Sequence, residues 1–389
     1  MKILVLHNRY QIRGGEDQVV EAEVELLRAH GHEVNLELLS NDTIQGFLSK
    51  LSTAMNVGHS QESYTWLCAI LEKFQPDIVH IHNFFPLLTP SAYDACKKFS
   101  IPVVQSLHNF RLFCSNGLFL REGKICELCL HGSAYHGVVH GCYRESRLAT
   151  IPVAHMIEKH RTEKTWQNKV DQFIAITEFS KQKFVSGGVP AEKISVKQNF
   201  VEDPSKEFST PTGERTSEFT ALFVGRLSQE KGVTTLLNAW KNLDFKLTVI
   251  GEGPLLSKAQ ESKRSGISVV GKKSKSEIFK AMNAASILVI PSECYEGFPM
   301  VAVEAMAMGL PILASDVGAI GAFVKEYHLG DCFKTGNANS LSTKLNEMAT
   351  QKDLSVFRKN SRMAYERFFT PQTNYDLLLQ IYKRLVPAQ

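Results

Sequence analysis

The chain has 389 residues, of which 43% are hydrophobic and 22% charged, and its formal net charge is +4. This length predicts two domains, and the composition is that of a globular protein, which excludes a disordered or fibrous chain. The small charge and the absence of any DNA or RNA recognition motif predict that nucleic acid is not a partner. No apolar run is long enough to predict a transmembrane helix, and polar residues follow the first strand too early for a signal peptide, so we expect a cytoplasmic protein.

Short apolar runs alternate with helical patterns through the first half of the chain. A helix is predicted from about residue 17 to 30, between the first two strands. This alternation predicts a parallel sheet covered by helices. The predicted strands are residues 3–6, 34–39, 77–81, 102–107, 172–176 and 194–197.

The same pattern restarts after a polar stretch, residues 205–218, which predicts a linker. The strands predicted beyond it are residues 220–224, 246–250, 268–270, 287–290 and 311–314. Two such halves predict an α/β protein with two Rossmann-like domains whose parallel sheets face a central cleft, where ligands bind beyond the carboxyl ends of the strands. The predicted division is an N-terminal domain of residues 1–204, a C-terminal domain of residues 219–369 and a last helix of residues 370–389.

Two carboxylates follow the strand predicted at residues 287–290. Glu296 lies in the strand-to-helix loop, and Glu304 lies on the helix that is predicted to begin at Met300 and to end before Gly309. The first backbone N–H groups of such a helix have no partner within it and can bind phosphate. A carboxylate among apolar neighbours is costly unless it is paired or ligand-bound. The arrangement suits a nucleotide sugar, although two Glu residues at this spacing also occur by chance.

Two cations follow the strand predicted at residues 220–224. Arg226 and Lys231 lie in the loop that leads to the helix after Gly232. An Arg can hold a pyrophosphate with two parallel hydrogen bonds and a Lys as a point charge. The alternative is that both are ordinary surface cations.

Gly14 and Gly15 follow the first strand, where a tight turn lets the backbone approach a ligand closely. They do not form the Gly-x-Gly-x-x-Gly fingerprint, so a nicotinamide cofactor is not indicated. Glu16 begins the next helix, where it either favours the helix dipole or binds an acceptor. His108 ends the strand at residues 102–107, which places it either in the cleft or in a hydrogen-bonded core position.

Four cysteines lie close together in a glycine-rich insertion, residues 112–143. Cys126 and Cys129 form a Cys-x-x-Cys knuckle, and Cys114 and Cys142 flank it. Such a loop has little apolar material of its own, and in a reducing cytoplasm a structural Zn²⁺ is favoured over disulfides as its stabilising element. Free thiols and an iron–sulfur cluster are the alternatives.

Residues 147–169 are predicted to form a basic amphipathic helix. Such a helix can lie on an anionic lipid surface. The commoner explanation is a packed helix with one solvated face. Peripheral contact with the inner membrane face therefore stays one of two interpretations.

Four segments resemble the retaining glycosyltransferases of family 4, which have the GT-B fold. Residues 291–311, Pro-Ser-x-x-x-Glu-Gly-Phe-Pro-x-x-x-x-Glu-Ala-Met-Ala-x-Gly-x-Pro, resemble that family's donor-site signature. Residues 223–232, Phe-Val-Gly-Arg-Leu-Ser-x-Glu-Lys-Gly, resemble its pyrophosphate-binding strand and loop. Residues 249–255, Val-Ile-Gly-Glu-Gly-Pro-Leu, resemble its next strand and turn, and residues 13–16, Arg-Gly-Gly-Glu, its N-terminal glycine loop.

The resemblance implies a retaining hexosyltransferase, independent of metal at the donor site, that uses a UDP- or GDP-linked sugar. The absence of an Asp-x-Asp motif agrees with this. The acceptor implied is a glycan or a lipid-linked saccharide, and the setting is bacterial surface polysaccharide synthesis. The residues implied in catalysis are His108, Arg226, Lys231 and Glu296. The residues implied in donor binding are Gly14, Gly15, Asn199, Arg226, Lys231, Glu296, Gly297, Phe298, Pro299, Met300 and Glu304, with Glu16 for the acceptor.

Two other classes of function fit the same residues. One is a nucleotide-sugar epimerase or hydrolase on this fold, which would process a donor with no acceptor present. The other is a non-catalytic sugar-nucleotide-binding module, which would use the cysteine segment for interaction. The second is disfavoured because a protein without catalysis has no need to keep both cations and both carboxylates.

Overall fold

The computed structural model of the protein describes residues 1–11, 14–204, 207, 218–262, 266–351 and 353–386. The chain forms two compact units. The N-terminal unit comprises Met1–Phe119, Cys126–Gln198 and Asn374–Gln389, and the C-terminal unit comprises Leu120–Ile125 and Asn199–Thr373. The linker predicted at residues 205–218 lies almost entirely outside the described residues.

The strands are β1 Lys2–Arg9, β2 Glu33–Ser40, β3 Ile78–Asn83, β4 Val103–Leu107, β5 Leu120–Arg121, β6 Lys124–Ile125, β7 Gln172–Ala175, β8 Ile194–Val196, β9 Thr220–Val224, β10 Lys246–Ile250, β11 Ile267–Val269, β12 Ile287–Ile290, β13 Ile312–Ser315 and β14 Gly330–Phe333. Every strand predicted from the sequence is present; β9, β10 and β12 have the predicted ends, and the ends of the others are shifted. The strand β14 was missed because its sequence, Gly-Asp-Cys-Phe, has no apolar run.

The helices are α1 Gly15–Ala29, α2 Gly46–Asn56, α3 Gln61–Phe74, α4 Ser91–Lys98, α5 Leu128–His131, α6 His136–Val139, α7 Arg147–Thr162, α8 Thr165–Asn168, α9 Glu178–Ser186, α10 Val233–Ala239, α11 Leu256–Glu261, α12 Lys275–Ala284, α13 Met300–Ala307, α14 Gly318–Glu326, α15 Ala338–Thr350, α16 Ser355–Phe368 and α17 Pro371–Leu385. The single helix predicted at residues 147–169 is divided because Lys164 adopts a left-handed conformation. None of the described helices is both long and apolar enough to cross a membrane.

The N-terminal unit is built on a parallel sheet of six strands in the order β2-β1-β3-β4-β7-β8. The strand β1 carries a continuous apolar run, as a strand covered on both faces requires. Its Ile3 and Val5 pack against the Val20, Val24 and Leu27 stripe of α1, which recurs at helical spacing. The last helix, α17, adds Leu378, Ile381 and Tyr382 to the same core.

The C-terminal unit is built on a second parallel sheet of six strands, in the order β11-β10-β9-β12-β13-β14. Its core on one face gathers Ala221, Phe223, Val249 and Val289 from the strands and Leu236 from α10. In both units the first strand lies inside the sheet, so the strand order reverses beside it. Ligands of open α/β sheets bind at such reversal points, beyond the carboxyl ends of the strands.

Candidate active site

In the C-terminal unit the strand order reverses between β9 and β12. Arg226 and Lys231 follow β9, and Glu296 follows β12, so the topology places all three at the reversal point. The structure therefore brings together residues from two motifs that are far apart in the sequence. Their assignment to donor binding stays a prediction.

Lys231 and Glu296 are in direct contact. The Lys231 ammonium donates a hydrogen bond to one carboxylate oxygen of Glu296, and the Ser292 hydroxyl donates to the other. Burial lowers the pKa of Lys231, but the charge of Glu296 and the hydrogen bond to it outweigh burial and leave that pKa above its ordinary value. Lys231 is therefore a permanent cation at neutral pH.

Gly232 explains why this loop can approach β12 so closely. It has φ +70°, and a Cβ placed there would lie 1.7 Å from the Pro291 carbonyl oxygen. No residue other than glycine fits. The contact sets Lys231 against the segment that carries Ser292 and Glu296.

Arg226 is exposed and points to no acid in the described part of the chain. Its loop is positioned by the turn that follows β10. The Leu227 N–H donates to the main-chain oxygen of Glu252 at 2.8 Å, and the Leu255 N–H donates to the main-chain oxygen of Leu227 at 2.8 Å. A Cβ at Gly251 would lie 1.8 Å from the Gly225 oxygen. The glycines of the two motifs at residues 223–232 and 249–255 thus let two strand-end loops pack together.

The helix α13 follows Glu296. Gly297, Phe298 and Pro299 form the turn before it, and Pro299 is the N-cap, so α13 begins at Met300 as predicted. Phe298 is buried and stacks on Phe369, with ring centroids 5.3 Å apart. This packing fixes the turn, and the first N–H groups of α13 have no partner within the helix.

Glu304 lies one turn into α13. Its residue is 9% exposed, and burial raises the pKa of its carboxyl to about 7, opposed only by the more distant Lys275. Within the described residues no side chain forms a hydrogen bond with it. A buried carboxylate without a protein partner is suited to accept hydroxyl groups from a ligand.

Glu293 is a further buried carboxylate that sequence reasoning missed. It accepts a hydrogen bond from the Thr235 hydroxyl at 2.6 Å, and Gln229 Nε2 lies 3.4 Å from its other oxygen. These contacts join α10 to the segment before Glu296. Its signal in the sequence is weak, a Glu three residues after the end of a buried strand.

In the N-terminal unit, polar side chains gather where β1, β3 and β4 end. His108 follows β4, and its Nε2 lies 3.0 Å from His82 Nδ1, with the two rings stacked at 5.3 Å. Burial lowers the pKa of His108 well below its ordinary value, and neighbouring His82 adds to this, so His108 is neutral at pH 7. The structure thus places His108 at a strand end, next to a second histidine.

A buried ion pair lies behind these histidines. Glu23 accepts a hydrogen bond from Lys197 at 2.5 Å, and its other oxygen lies 3.4 Å from His82 Nε2. Burial raises the pKa of Glu23, but Lys197 and His82 outweigh it and hold that pKa well below its ordinary value. The sequence did not reveal Glu23, because it sits in an amphipathic helix where a Glu is normally solvated.

Glu16 lies at the start of α1. Burial and the adjacent Asp17 raise the pKa of its carboxyl to about 8, while hydrogen bonds from Tyr10 and Asn109 oppose the shift. One of its oxygens is buried without a hydrogen bond, 4.0 Å from His7 Nδ1. Glu16 is thus held among polar side chains of its own unit, and its assignment to acceptor binding stays a prediction.

Gly14 is the N-cap of α1, and Gly15 is its first residue. The Gly14 N–H donates to the Asp17 carboxylate at 2.8 Å, and Asp17 also pairs with His7 at 2.9 Å. The glycine turn is therefore fixed by a buried acid that the sequence motif did not include. Arg13, which belongs to the same motif, lies outside the described residues.

Asn199 is buried, and the division between the two units falls directly before it. Thr177 is the N-cap of α9. Its hydroxyl accepts from the Ser180 N–H at 3.1 Å, and the Thr177 N–H donates to the Ser180 hydroxyl at 3.1 Å. Helix capping accounts for the side-chain hydrogen bonds of both Thr177 and Ser180.

The cysteine segment is not the loosely held loop that its composition suggested. It carries a short hairpin, β5 and β6, and the helices α5 and α6. Phe110, Phe113 and Phe119 are buried, and Phe110 stacks on Phe184 at 5.5 Å. Apolar packing therefore holds the segment, which corrects the expectation that it has little apolar material of its own.

The sequence matches two family models, one described as Glycosyltransferase Family 4 over residues 13–203 and one described as Glycosyl transferases group 1 over residues 204–366. The amylovoran biosynthesis glycosyltransferase AmsK of Erwinia amylovora is 27% identical over 61% of this chain and 62% of that protein. An uncharacterised glycosyltransferase of Methanocaldococcus jannaschii is 38% identical over 34% of this chain and 39% of that protein. The chain thus spans less than two thirds of the length of these curated relatives.

Solved structures resemble the whole chain. A glycosyltransferase from Rickettsia africae has a TM-score of 0.68 at 16% identity and covers 100% of both chains. Anabaena HepE in complex with UDP-glucose has a TM-score of 0.64 at 16% identity, over 98% of this chain and 99% of that chain. At these identities the likeness shows the fold alone, and the predicted GT-B fold is confirmed.

Proposed function

Because the chain belongs to the group 1, family 4 glycosyltransferases, we propose that it transfers a sugar from a UDP- or GDP-linked donor, with retention of configuration, to a glycan or lipid-linked acceptor. The process proposed is surface polysaccharide or glycoconjugate synthesis. The relative that acts in amylovoran biosynthesis supports this setting. The observation that carries the proposal is the contact between Lys231 and Glu296, with the exposed Arg226 in the same loop as Lys231.

Each of these groups has a distinct task in the proposed reaction. Arg226 and Lys231 bind the diphosphate and stabilise the negative charge that develops as it leaves, which is electrostatic catalysis that needs no metal at the donor site. The first N–H groups of α13 add to this anion site. Lys231 exchanges part of its contact with Glu296 for the diphosphate, and Glu296 then accepts sugar hydroxyls.

Glu304 takes the ribose in this proposal. Its carboxylate has no hydrogen-bond partner among the described side chains, and two ribose hydroxyls would supply one to each oxygen. In line with the family resemblance, His108 and Gly15 contact the donor. Glu16 contacts the acceptor. His108 is neutral, so it can donate or accept a hydrogen bond without adding charge.

A transfer assay separates this proposal from its alternatives. Purified protein is incubated with UDP- and GDP-linked sugars, with and without lipid-linked saccharides from bacterial membranes, and nucleotide release and the product's anomeric configuration are measured. The proposal predicts release that depends on acceptor and an anomer matching that of the donor. Conversion of the donor without acceptor would favour an epimerase or hydrolase, and an inverted product would contradict retention.

We also propose peripheral contact with an anionic membrane surface through α2 and α7. No residue of α2 is buried, and Phe47, Leu48 and Met55 are each more than three quarters exposed. On α7, which packs against α2, Leu148 is 80% exposed beside the exposed Arg147. Apolar side chains next to basic ones match the boundary of an anionic bilayer.

Flotation with vesicles of anionic and of zwitterionic lipid tests this contact. Phe47→Ser with Leu48→Ser should abolish flotation with anionic vesicles. Val356→Ser, which removes an apolar side chain that is 63% exposed on the C-terminal unit, should leave it unchanged. Absence of flotation for the unaltered protein, or equal flotation of both variants, would count against the proposal.

A further inference from the structure

The cysteine segment carries a feature that donor binding does not use. Four of the eight cysteines lie within it, and none of the eight forms a disulfide. Cys114 and Cys129 are buried, and Cys126 and Cys142 are partly buried. A central Cys-x-x-Cys pair with one cysteine on each side is a spacing found in tetrahedral zinc sites.

Three of these cysteines converge on Gly137. The Cys142 N–H donates to the Gly137 oxygen at 2.9 Å, and the Gly137 N–H donates to the Ala134 oxygen at 2.9 Å. Cys129 Sγ lies 3.8 Å from that same Ala134 oxygen. Cys114 is close in the chain to this glycine's surroundings, because a Cβ at Gly137 would lie 2.9 Å from the hydroxyl of the next residue, Ser115.

The fourth cysteine belongs to the knuckle. The Cys126 N–H donates to the main-chain oxygen of Phe119 at 2.7 Å, which anchors the start of the knuckle to one of the buried phenylalanines. Arg161 of α7 holds its other end, donating to the Cys129 oxygen and to the Gly132 oxygen, both at 2.7 Å. All three other cysteines lie within electrostatic range of Cys129.

We propose that Cys114, Cys126, Cys129 and Cys142 bind one structural Zn²⁺ through four thiolates. Binding replaces four S–H bonds with four Zn–S bonds and releases four protons, with no change of oxidation state. At a Zn–S distance of about 2.3 Å the sulfurs of a tetrahedral site lie roughly 3.8 Å apart. The resulting site would carry two negative charges, and the Arg161 guanidinium on the knuckle partly offsets them.

In this proposal the four sulfurs would move closer together on metal binding, because no three of them lie within 4.8 Å of one another in the structure. Among the described residues, only Glu23, His80 and His82 already bring three potential ligand atoms within 4.8 Å of one another. That group is an unsuitable metal site, because the Lys197 ammonium occupies Glu23 and both His80 nitrogens have partners, Tyr382 at 2.7 Å and Ser106 at 2.8 Å. At the cysteines, Cys114 Sγ donates to Asn116 Oδ1 at 3.0 Å and Cys129 Sγ lies 3.8 Å from the Ala134 oxygen, and metal binding would replace both contacts.

Elemental analysis of protein purified without chelators tests the site, with Cys129→Ser as the variant and Cys68→Ser, in the same unit, as the control. We expect about one zinc per chain in the unaltered protein and in Cys68→Ser, and a loss of at least half of it in Cys129→Ser. Iron in place of zinc, a mass showing disulfides, or metal-free protein with eight titratable thiols would each overturn the proposal.

A second measurement keeps the test decisive if Cys129→Ser does not fold. The unaltered protein is stripped of metal and loaded with Co²⁺, whose bonds to thiolates give intense near-ultraviolet absorption and whose tetrahedral geometry gives visible bands. Both signals should appear with one equivalent of Co²⁺ and disappear when Zn²⁺ is added. Absence of the thiolate signal would contradict four-cysteine ligation.

Discussion

Lys231 and Glu296 are 65 residues apart in sequence, and the ammonium of the first donates a hydrogen bond to the carboxylate of the second. The contact joins the loops after β9 and β12, where the order of the C-terminal sheet reverses. It holds a cation and a carboxylate ready in the proposed donor site. The predictions below concern this contact and the groups that support it.

Replacing Lys231 with Ala should weaken nucleoside diphosphate binding by roughly 10- to 150-fold. The variant loses a charged hydrogen bond, which contributes about 1.5–3 kcal/mol. Lys246→Ala is the matched control, because it removes an exposed lysine from an exposed ion pair with Glu218 in the same unit. Calorimetric titration that finds the two variants equally affected would contradict the role of Lys231.

Gly232→Ala should disrupt the donor site, and Gly336→Ala should not. Both glycines have nearly the same left-handed φ, +70° and +69°, but a Cβ at Gly232 meets the Pro291 oxygen whereas a Cβ at Gly336 has nothing within 4 Å. Gly336→Ala should therefore lower the free energy of unfolding by about 1–2 kcal/mol, which is the cost of holding a residue other than glycine in a left-handed conformation.

Thermal unfolding and nucleotide titration of the two variants measure these effects. Gly232→Ala should show the larger drop in melting temperature and a loss of nucleotide affinity, since Lys231 is displaced with the loop. Equal stability of the two variants, with nucleotide affinity intact in both, would show that the close approach to Pro291 is not needed.

Nucleotide binding should release a proton through Glu304 near neutral pH. The pKa of its carboxyl is raised to about 7 by burial, so the free protein is partly protonated there, and ribose hydroxyls bind the ionised form. The affinity should therefore rise from pH 6 to pH 8, roughly tenfold for a pKa of about 7.

Glu304→Gln provides the control for this pH dependence. Titration in buffers of different ionisation enthalpy gives the proton release, and the difference between the protein and Glu304→Gln removes the titration of the nucleotide itself. A release that is identical in both proteins would contradict the assignment of Glu304 to the ribose.

Lys197→Met should destabilise the N-terminal unit by about 3–5 kcal/mol, because it leaves the buried Glu23 charge without its partner. Adding Glu23→Gln to this variant should restore part of the loss. Since the pKa of Glu23 is held below its ordinary value, its contribution to stability is present above pH 4.5 and is lost as the pH falls through the depressed value. Denaturant unfolding that shows Lys197→Met to be as stable as the unaltered protein would contradict this account of the pair.

The sequence was sufficient to predict where a residue lies when its position follows from the order of the strands. Arg226, Lys231 and Glu296 each follow an apolar run in a repeated β–α pattern, so both sheets and their loops could be predicted. Glu23, Asp17 and Glu293 could not, because a buried carboxylate and a solvated one look alike in a helix or loop sequence. Their partners, Lys197, His7 and Thr235, are 174, 10 and 58 residues away in the chain, and only the packed fold shows that they meet.

The most direct test of the proposed donor site is calorimetric titration of the protein and of Arg226→Ala with UDP, GDP, ADP and CMP. Arg226 is exposed, so its replacement should leave the fold intact, which circular dichroism can check. The account predicts that one nucleoside diphosphate binds and that Arg226→Ala weakens it at least tenfold. Binding that Arg226→Ala does not change, or no binding of any of the four nucleotides, would contradict it.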